Sequence, residues 1–372
     1  MKLAINALPL TMPLTGIGKY TYHLAQEFSK LSDGFDVEYF YSYNYSRELI
    51  EPGGPGVRKT GVLKRFPSVK PYARVVRDYL AGMTTRRFDV YFEPNFIPIN
   101  IPARRKVVTV ADFSFITHPE CHPKERMDYF SSKFWPRIKK ADHVVFISEF
   151  IRQYGIENFG FSPENSTAIP LGVQHEHFRL LASEELGGVR QRHQLPEKFI
   201  LFVGSLEPRK NLERMLRSYL SLPRVLRDEY RCVLVGGSGW NNEEIQKLID
   251  ANPEHLLRLG YVSDEDLPKL YNLSSLFLFA SLYEGFGLPA LEAMACGCPV
   301  LSSNITSLPE VCGDAALLVD PYDSEAIRDG MMRILEDSSL ASQFSDKGIE
   351  HVKRFTWDQC AREHLGVFRG VM

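Results

Sequence analysis

Three observations predict an α/β fold of two Rossmann-like domains, each built on a parallel sheet. Short apolar runs rich in β-branched and aromatic residues alternate with longer amphipathic stretches. The alternation pauses in a charged, polar stretch at 174–197 and restarts near residue 198. The length, 372 residues, exceeds what one hydrophobic core sustains and suits two domains of ordinary size.

In chain order, "MKLAIN", "VEYFYSY", "VYFEPN", "KVVTVAD", "HVVFIS" and "STAIPL" read as the strands of the first half. "KFILFVGS", "RCVLVGG", "LLRLGYV", "SLFLFA", "PVLSS" and "AALLVD" read as those of the second. Helical patterns lie between them, such as "GKYTYHLAQEFSKL" and "NLERMLRSYLSL". Strand–helix alternation of this kind forms parallel sheets through βαβ crossovers. The expected boundaries are 1–173 for the first domain and 174–354 for the second. The tail 355–372, "FTWDQCAREHLGVFRGVM", reads as an amphipathic helix with no strand after it.

Hydrophobic residues are 44% and charged residues 24%, with a net charge of −2. That balance is of an ordinary globular chain and gives no sign of nucleic-acid binding by the whole molecule. No run of 18 apolar residues is present to span a bilayer. The first twenty residues carry early prolines and no convincing cleavage site, so they read as a strand and loop rather than a secretory signal. The six cysteines are expected as small buried side chains in a reducing cytoplasm; Cys296 and Cys298 make C-x-C, without a partner at zinc spacing.

Ligands of such sheets bind beyond the C-terminal strand ends, so the residues after each strand matter most. After "ILFVGS" come Arg209 and Lys210, directly before a helix, where unpaired N–H groups and the macrodipole favour an anion. After "LFLFA" comes "SLYEGFGLPALEAMACGCPV", with Glu284 and Glu292 bracketing Gly285, Gly287 and Pro289. The glycines permit a tight turn with outward N–H groups, and Pro289 suits a first helical turn. Carboxylates hydrogen-bond sugar hydroxyls well, and one acid for each of two sugars accounts for the pair. The plainer alternative is one helix-start acid and one surface acid. "DED" at 264–266 follows Ser263 and reads as a capped helix start with acids in its first turn, not as a D-x-D metal motif. Near the N-terminus, Gly16 and Gly18 of "TGIGKY" lie between strand and helix. The third position of a dinucleotide fingerprint holds Thr21, so NAD binding is not supported.

Taken in order, "TGIGKYTYHL", "VVTVADFSFITHPE", "ADHVVFISEF", "TAIPLGV", "FVGSLEPRKNL", "LRLGYVSDEDLPKLY" and the E-x7-E stretch make the chain resemble glycosyltransferase family 4, over nearly its whole length. Its wording is most similar to bacterial mannosyltransferases that build polysaccharides and O-antigens. The resemblance implies a GT-B fold, with two Rossmann-like domains facing a central cleft and the C-terminal helix crossing back to the first, acceptor-binding domain. It implies a retaining transfer from a nucleotide-sugar donor. By the same resemblance Arg209 and Lys210 hold the donor diphosphate, Glu292 the ribose, and Glu284 lies near the donor sugar. Gly204, Ser205, Phe286, Gly287 and Leu288 line the donor, Tyr261 and Val262 meet the base, and Gly16 and Gly18 belong to a loop closing over the diphosphate. No cofactor and no metal are expected, because the cations and helix starts would meet the diphosphate charge.

One departure bears on catalysis. The family carries His-Asp after the strand ending "VVTV", with the histidine near the reacting carbon. Here the pair is Ala111 and Asp112. His118 reads as part of the following loop. The expected activity is transfer of a hexose, with GDP-mannose as donor, to a saccharide or lipid-linked acceptor in polysaccharide or lipopolysaccharide synthesis. Two alternatives stand beside it: a silent nucleotide-sugar binder and a sugar-nucleotide epimerase.

From Val57 to Arg87 nine basic residues face one acid, Asp78, with apolar residues interleaved. Such a segment can dock on an anionic membrane, which suits a cytoplasmic chain peripheral on the inner face of a membrane. A solvated face or a phosphate-rich acceptor site is the alternative.

Overall fold

A computed structural model of the chain describes residues 1–12, 16–31, 34–42, 44–51, 80–237, 239 and 242–372. Residues 57–79 of the basic segment lie outside these. The chain divides into two compact units. The first comprises Met1–Asp112, Lys124–Gly172 and Trp357–Met372; the second comprises Phe113–Pro123 and Val173–Thr356.

Among the described residues the first unit holds a seven-stranded sheet. Its strands are β1 (Lys2–Asn6), β2 (Asp36–Tyr41), β3 (Asn44–Ser46), β4 (Phe88–Glu93), β5 (Ala103–Val110), β6 (His143–Phe146) and β7 (Ser166–Ala168). They run in the order β3-β2-β1-β4-β5-β6-β7. All pairs are parallel except β2 with β3, a short antiparallel edge strand that the sequence reading does not include. The second sheet contains β8 (Lys198–Val203), β9 (Tyr230–Val235), β10 (Leu256–Gly260), β11 (Leu276–Phe279), β12 (Val300–Ser303) and β13 (Leu317–Val319). Their order is β10-β9-β8-β11-β12-β13, all parallel. The predicted two-sheet α/β architecture is therefore present.

Helix cover explains why the central strands are apolar without alternation. Ile200, Leu201 and Phe202 of β8 and Leu276, Phe277 and Leu278 of β11 are all buried, as parallel strands covered on both faces must be. The order reversal between β8 and β11 leaves a crevice beyond their C-terminal ends, the general ligand position in open α/β sheets.

The helix Trp357–Gly370 belongs to the first unit and packs on the helix Gly16–Lys30. Trp357 meets Tyr20 and His23, and Phe368 meets Phe28. A buried relay joins both helices to β5. His364 Nδ1 lies 2.7 Å from the Cys360 carbonyl, which can only accept, so Nδ1 carries the proton. Tyr20 OH therefore donates to His364 Nε2 at 2.8 Å and accepts from Thr109 Oγ1 at 2.8 Å. Burial holds the His364 pKa down at about 4. At the ends of β1 and β4, the buried Glu93 carboxylate accepts from Asn6 Nδ2 at 2.8 and 3.0 Å, Tyr91 OH at 2.5 Å and Asn95 N–H at 3.1 Å. Burial outweighs these donors and raises its pKa to about 7.

Candidate functional site

The site of the second unit is assembled by the loops after β8, β9 and β11. After β8, Pro208–Lys210 forms a short 3-10 turn, and Asn211 enters the left-handed region at φ 59° before the helix Leu212–Leu220. Asn211 holds that conformation through its side-chain amide, which donates to the carbonyls of Ala280 and Pro321 at 2.9 and 2.7 Å. The turn aims Arg209 and Lys210 at the loop after β11. Lys210 Nζ lies 2.6 Å from Glu284 Oε1, and Arg209 reaches Glu284 Oε2 at 3.3 Å, the Tyr283 carbonyl at 2.7 Å and Glu207 Oε1 at 2.7 Å.

Two cations and two carboxylates thus balance in a nearly dry setting. Burial alone would raise the Glu284 carboxyl pKa; Lys210, then Arg209, outweigh it and hold it below the usual carboxylate range. Burial also lowers the Lys210 pKa, with Arg209 adding to that and Glu284 opposing it. The 2.6 Å approach to a carboxylate that is itself held down describes an ion pair.

Gly287 sits at the head of the helix Leu288–Ala295 with φ 110°, a conformation that disfavours any side chain. A Cβ there would also come within 2.5 Å of Leu308 Cδ2. Ser307 Oγ fixes the turn from below by donating to the carbonyls of Glu284 and Phe286 at 3.0 and 2.9 Å. Phe286 is buried and Leu288 half-buried. Glu292 lies in the middle of the helix, 7% exposed, and accepts from Tyr271 OH at 3.3 Å. Glu284 is 6% exposed. The alternative of a helix-start acid plus a surface acid fails, since both are buried and neither is in the helix's first turn.

Gly204 and Ser205 follow β8 directly, with Gly204 N–H donating to Val235 O at 2.9 Å. Gly236, with φ 136°, brings the next loop so close that a Cβ on it would lie 1.9 Å from the Gly204 carbonyl oxygen. After β10, Tyr261 is 80% exposed and Val262 buried. The structure thus brings Gly204, Ser205, Arg209, Lys210, Glu284, Phe286 and Gly287 onto neighbouring loops of one sheet's C-terminal edge, with Leu288 and Glu292 in the helix that continues from the last of them and Tyr261 and Val262 following another strand of the sheet.

Sequence reasoning missed Glu207, Tyr283, Ser307 and Gly236. Tyr283 also anchors Phe113–Pro123 to this unit. Phe113 N–H donates to its hydroxyl at 3.0 Å, and the His118 ring lies 5.0 Å from its ring.

Two expectations need correction. Gly16 and Gly18 are not in a loop: both lie in the first turn of the helix Gly16–Lys30, Gly18 buried. At 264–266 the acids precede the helix Leu267–Leu273 instead of entering its first turn. Ser263 Oγ accepts from Asp266 N–H at 3.3 Å, and the Asp266 carboxylate is taken by Arg192 at 2.5 and 2.6 Å and His193 at 2.9 Å. In the first unit, Ala111 directly follows β5 and is 9% exposed, with Asp112 half-buried beside it.

With this geometry in place, similarity to known proteins is informative. A model of glycosyltransferase family 4 matches residues 14–177, and one of the group 1 glycosyl transferases matches residues 189–351. The O-antigen chain mannosyltransferase B of Escherichia coli is 32% identical over 99% of this chain and 100% of its own length. The chain belongs to glycosyltransferase family 4. It is a glycosyltransferase, and the resemblance read from its motifs holds. The serotype-specific mannosyltransferase WbdA of Escherichia coli is 35% identical over 62% of this chain, which is 29% of WbdA. Among solved structures, sucrose-phosphate synthase from Thermosynechococcus elongatus matches with a TM-score of 0.71 at 20% identity, covering 100% of this chain and 98% of its own. WaaG, a glycosyltransferase involved in lipopolysaccharide biosynthesis, matches at 0.67 and 15%, covering 99% of each chain. These structural likenesses establish the fold class. No helix among the described residues is long and apolar enough to cross a membrane.

Proposed function

We propose that this glycosyltransferase moves mannose from GDP-mannose, with retention of configuration, onto a saccharide or lipid-linked acceptor in O-antigen or related polysaccharide synthesis. The observation that carries the reading is the full-length likeness to O-antigen chain mannosyltransferase B, joined to a second-unit site that pairs two cations with two buried acids. Breaking the sugar C1–O bond builds positive charge on the sugar and negative charge on the leaving diphosphate. Arg209, Lys210 and the N-termini of Leu212–Leu220 and Leu288–Ala295 supply fixed positive potential for the latter. In this reading Glu292 takes the ribose hydroxyls, Glu284 the donor sugar, and the exposed Tyr261 the base. The cations meet the diphosphate charge, so in this reading no divalent metal is needed, and activity is expected to survive strong chelation.

A second reading, a donor-binding protein without turnover, is favoured by one observation: Ala111 stands where the family carries histidine. A panel of GDP-, UDP- and ADP-sugars, scored by thermal stabilisation and by acceptor-dependent nucleotide release, separates the readings, since a tight ligand raises apparent stability by mass action. Stabilisation and release by GDP-mannose support the first. Stabilisation without release supports the second. Preference for a UDP-sugar overturns the donor assignment.

A further inference from the structure

The strand order of the first unit reverses between β1 and β4: the chain leaves β1 for β2 on one side and later enters β4 on the other. In an open parallel sheet a ligand binds beyond the C-terminal strand ends at such a point. Ile5 lies opposite Phe92. Asn6 and Glu93, the last residues of β1 and β4, therefore end the two strands side by side. Both are buried, at 4% and 1% exposure.

Glu93 ties down the loops that leave both strands. After β1, its carboxylate accepts from Asn6 Nδ2, and Asn6 Oδ1 accepts from Leu8 N–H at 3.2 Å, where the 3-10 turn Leu8–Thr11 begins. After β4, it takes Asn95 N–H directly, and it also takes the Tyr91 hydroxyl, which accepts from Ile99 N–H at 3.3 Å. Between these two anchors Phe96 is held at φ 56°, with its N–H on the Thr109 carbonyl at 3.0 Å. A bulky side chain in the left-handed region is strained, and such strain persists only where the surroundings impose it. The carboxyl is itself unfavourable here. Burial outweighs its hydrogen-bond donors and raises its pKa to about 7, so a neutral side chain of the same shape would fold more readily near neutrality. A group that lowers stability while fixing two loops at the ligand end of a sheet is accounted for by what those loops bind. The loop after β4 carries the exposed Asn95 and Asn100, whose amides both donate to and accept from sugar hydroxyls.

We propose that the crevice between the ends of β1 and β4 seats the acceptor saccharide, and that Glu93, acting through Asn6 and Tyr91, is the positioning residue for its two loops. The proposal rests on the transfer reaction proposed above.

The test is steady-state transfer from GDP-mannose to octyl α-mannoside, run well below the melting temperature of each variant. Glu93→Leu should raise the KM for octyl α-mannoside at least about tenfold, because loops misplaced by about 1 Å lose their contacts. The KM for GDP-mannose and kcat at saturation should change by less than about twofold, the pattern of lost ground-state binding of one substrate. Asn6→Ala should act in the same direction, and adding it to Glu93→Leu should have little further effect. Glu93→Gln should keep most of the affinity, since its oxygen still takes Asn6 and Asn95 and its amide donates to the Tyr91 hydroxyl. Amide hydrogen exchange of Leu8–Thr11 and of Asn95–Ile99 should quicken in Glu93→Leu and stay near native in Glu93→Gln. If Glu93→Leu fails to fold, Asn6→Ala and Glu93→Gln carry the comparison. Parallel loss of kcat and of both KM values in step with stability, or unchanged exchange in the two loops, would overturn the positioning role. Native transfer with an unchanged octyl α-mannoside KM in the variants would overturn the seat alone. Absence of transfer by the native chain would overturn the reaction, and the seat with it.

Discussion

Lys210 Nζ and Glu284 Oε1 lie 2.6 Å apart, with side-chain exposures of 11% and 8%. Residues 74 positions apart are thereby joined by a charge pair that is almost out of water. Glu284 also meets Arg209, which Glu207 holds from the other side. The two cations that the sequence assigns to a diphosphate are thus preorganised by carboxylates. Where burial is this deep, removing one member costs more than the pair contributes, because it strands a charge in a poor solvent.

Lys210→Met should therefore lower unfolding stability by roughly 3–5 kcal/mol. Adding Glu284→Gln should restore at least about half of that, since the second change removes the stranded carboxylate. Urea denaturation of the two single variants and the double decides this. A double variant as unstable as the sum of the singles would mean that the two residues do not act as a pair.

Arg209→Gln tests the anion role with less damage, because Arg209 sits nearer the surface. Nucleoside diphosphate binding should weaken by about 1.5–3 kcal/mol, the worth of a charge-assisted contact, while nucleoside binding stays within error. Calorimetric titration of both ligands reads the difference. Equal losses would dismiss the diphosphate assignment.

The glycines of the site rank by what surrounds them. At Gly236 a Cβ would strike the Gly204 backbone oxygen at 1.9 Å, whereas at Gly287 it would strike the movable end of Leu308 at 2.5 Å. Gly236→Ala should be the more destabilising, by more than about 2 kcal/mol, with Gly287→Ala nearer 1–2 kcal/mol. Melting curves test the order, and the reverse order would contradict the loop packing described.

Two buried groups of the first unit give stability opposite pH slopes. Glu93 has a folded pKa of about 7 against an ordinary 4.5. The native state keeps a proton that the unfolded chain releases, so its contribution falls as pH rises through that window. His364 has a folded pKa of about 4 against 6.5. There the unfolded chain holds the extra proton, and stability falls as pH drops through that window. The two oppose each other where the windows overlap, and Glu93 alone acts just below pH 7. Glu93→Gln should abolish the decline toward neutrality and leave the acid-side loss, measured by denaturation from about pH 5 to about pH 8. An unchanged slope would remove Glu93 from the account.

The strands were legible because a parallel strand covered on both faces is written as an unbroken apolar run, as "FILFV" and "LFLF" are. Glu284, Gly287 and Glu292 were legible because one strand–turn–helix carries all three. Glu207, Tyr283 and Ser307 were not. What each does depends on a partner distant in sequence or on a loop that only the fold brings near, and no local periodicity encodes that. For Gly16 and Gly18 the periodic pattern beginning at Gly18 already marks a helix, and the loop role came from the family resemblance; the helix starts at Gly16, and its contacts with the helix Trp357–Gly370 lie further along, at Tyr20, His23 and Phe28. At Asp266 the competing signal was tertiary: Arg192 and His193 take the carboxylate that local chemistry would give to the helix start.

Ala111 and Glu292 should separate catalysis from binding. Ala111→His introduces a hydrogen-bonding ring directly after β5. If residue 111 acts on the reacting sugar, that ring should raise turnover on the order of 10–100-fold, with donor affinity changed little. An interaction made mainly in the transition state moves the rate and leaves ground-state binding alone. Glu292→Gln should do the opposite, weakening nucleotide binding in proportion to the loss in kcat/KM, because a ribose contact is made equally before and during the reaction. Glu284→Gln should lower turnover with a modest loss of affinity. Ala111 is 9% exposed, so the larger side chain must first be shown by its melting temperature to be accommodated. A folded Ala111→His chain with unchanged turnover, beside a native chain that already transfers sugar rapidly, would shift the reacting role away from residue 111. His118, whose ring lies 5.0 Å from that of Tyr283, would then be the next residue to replace.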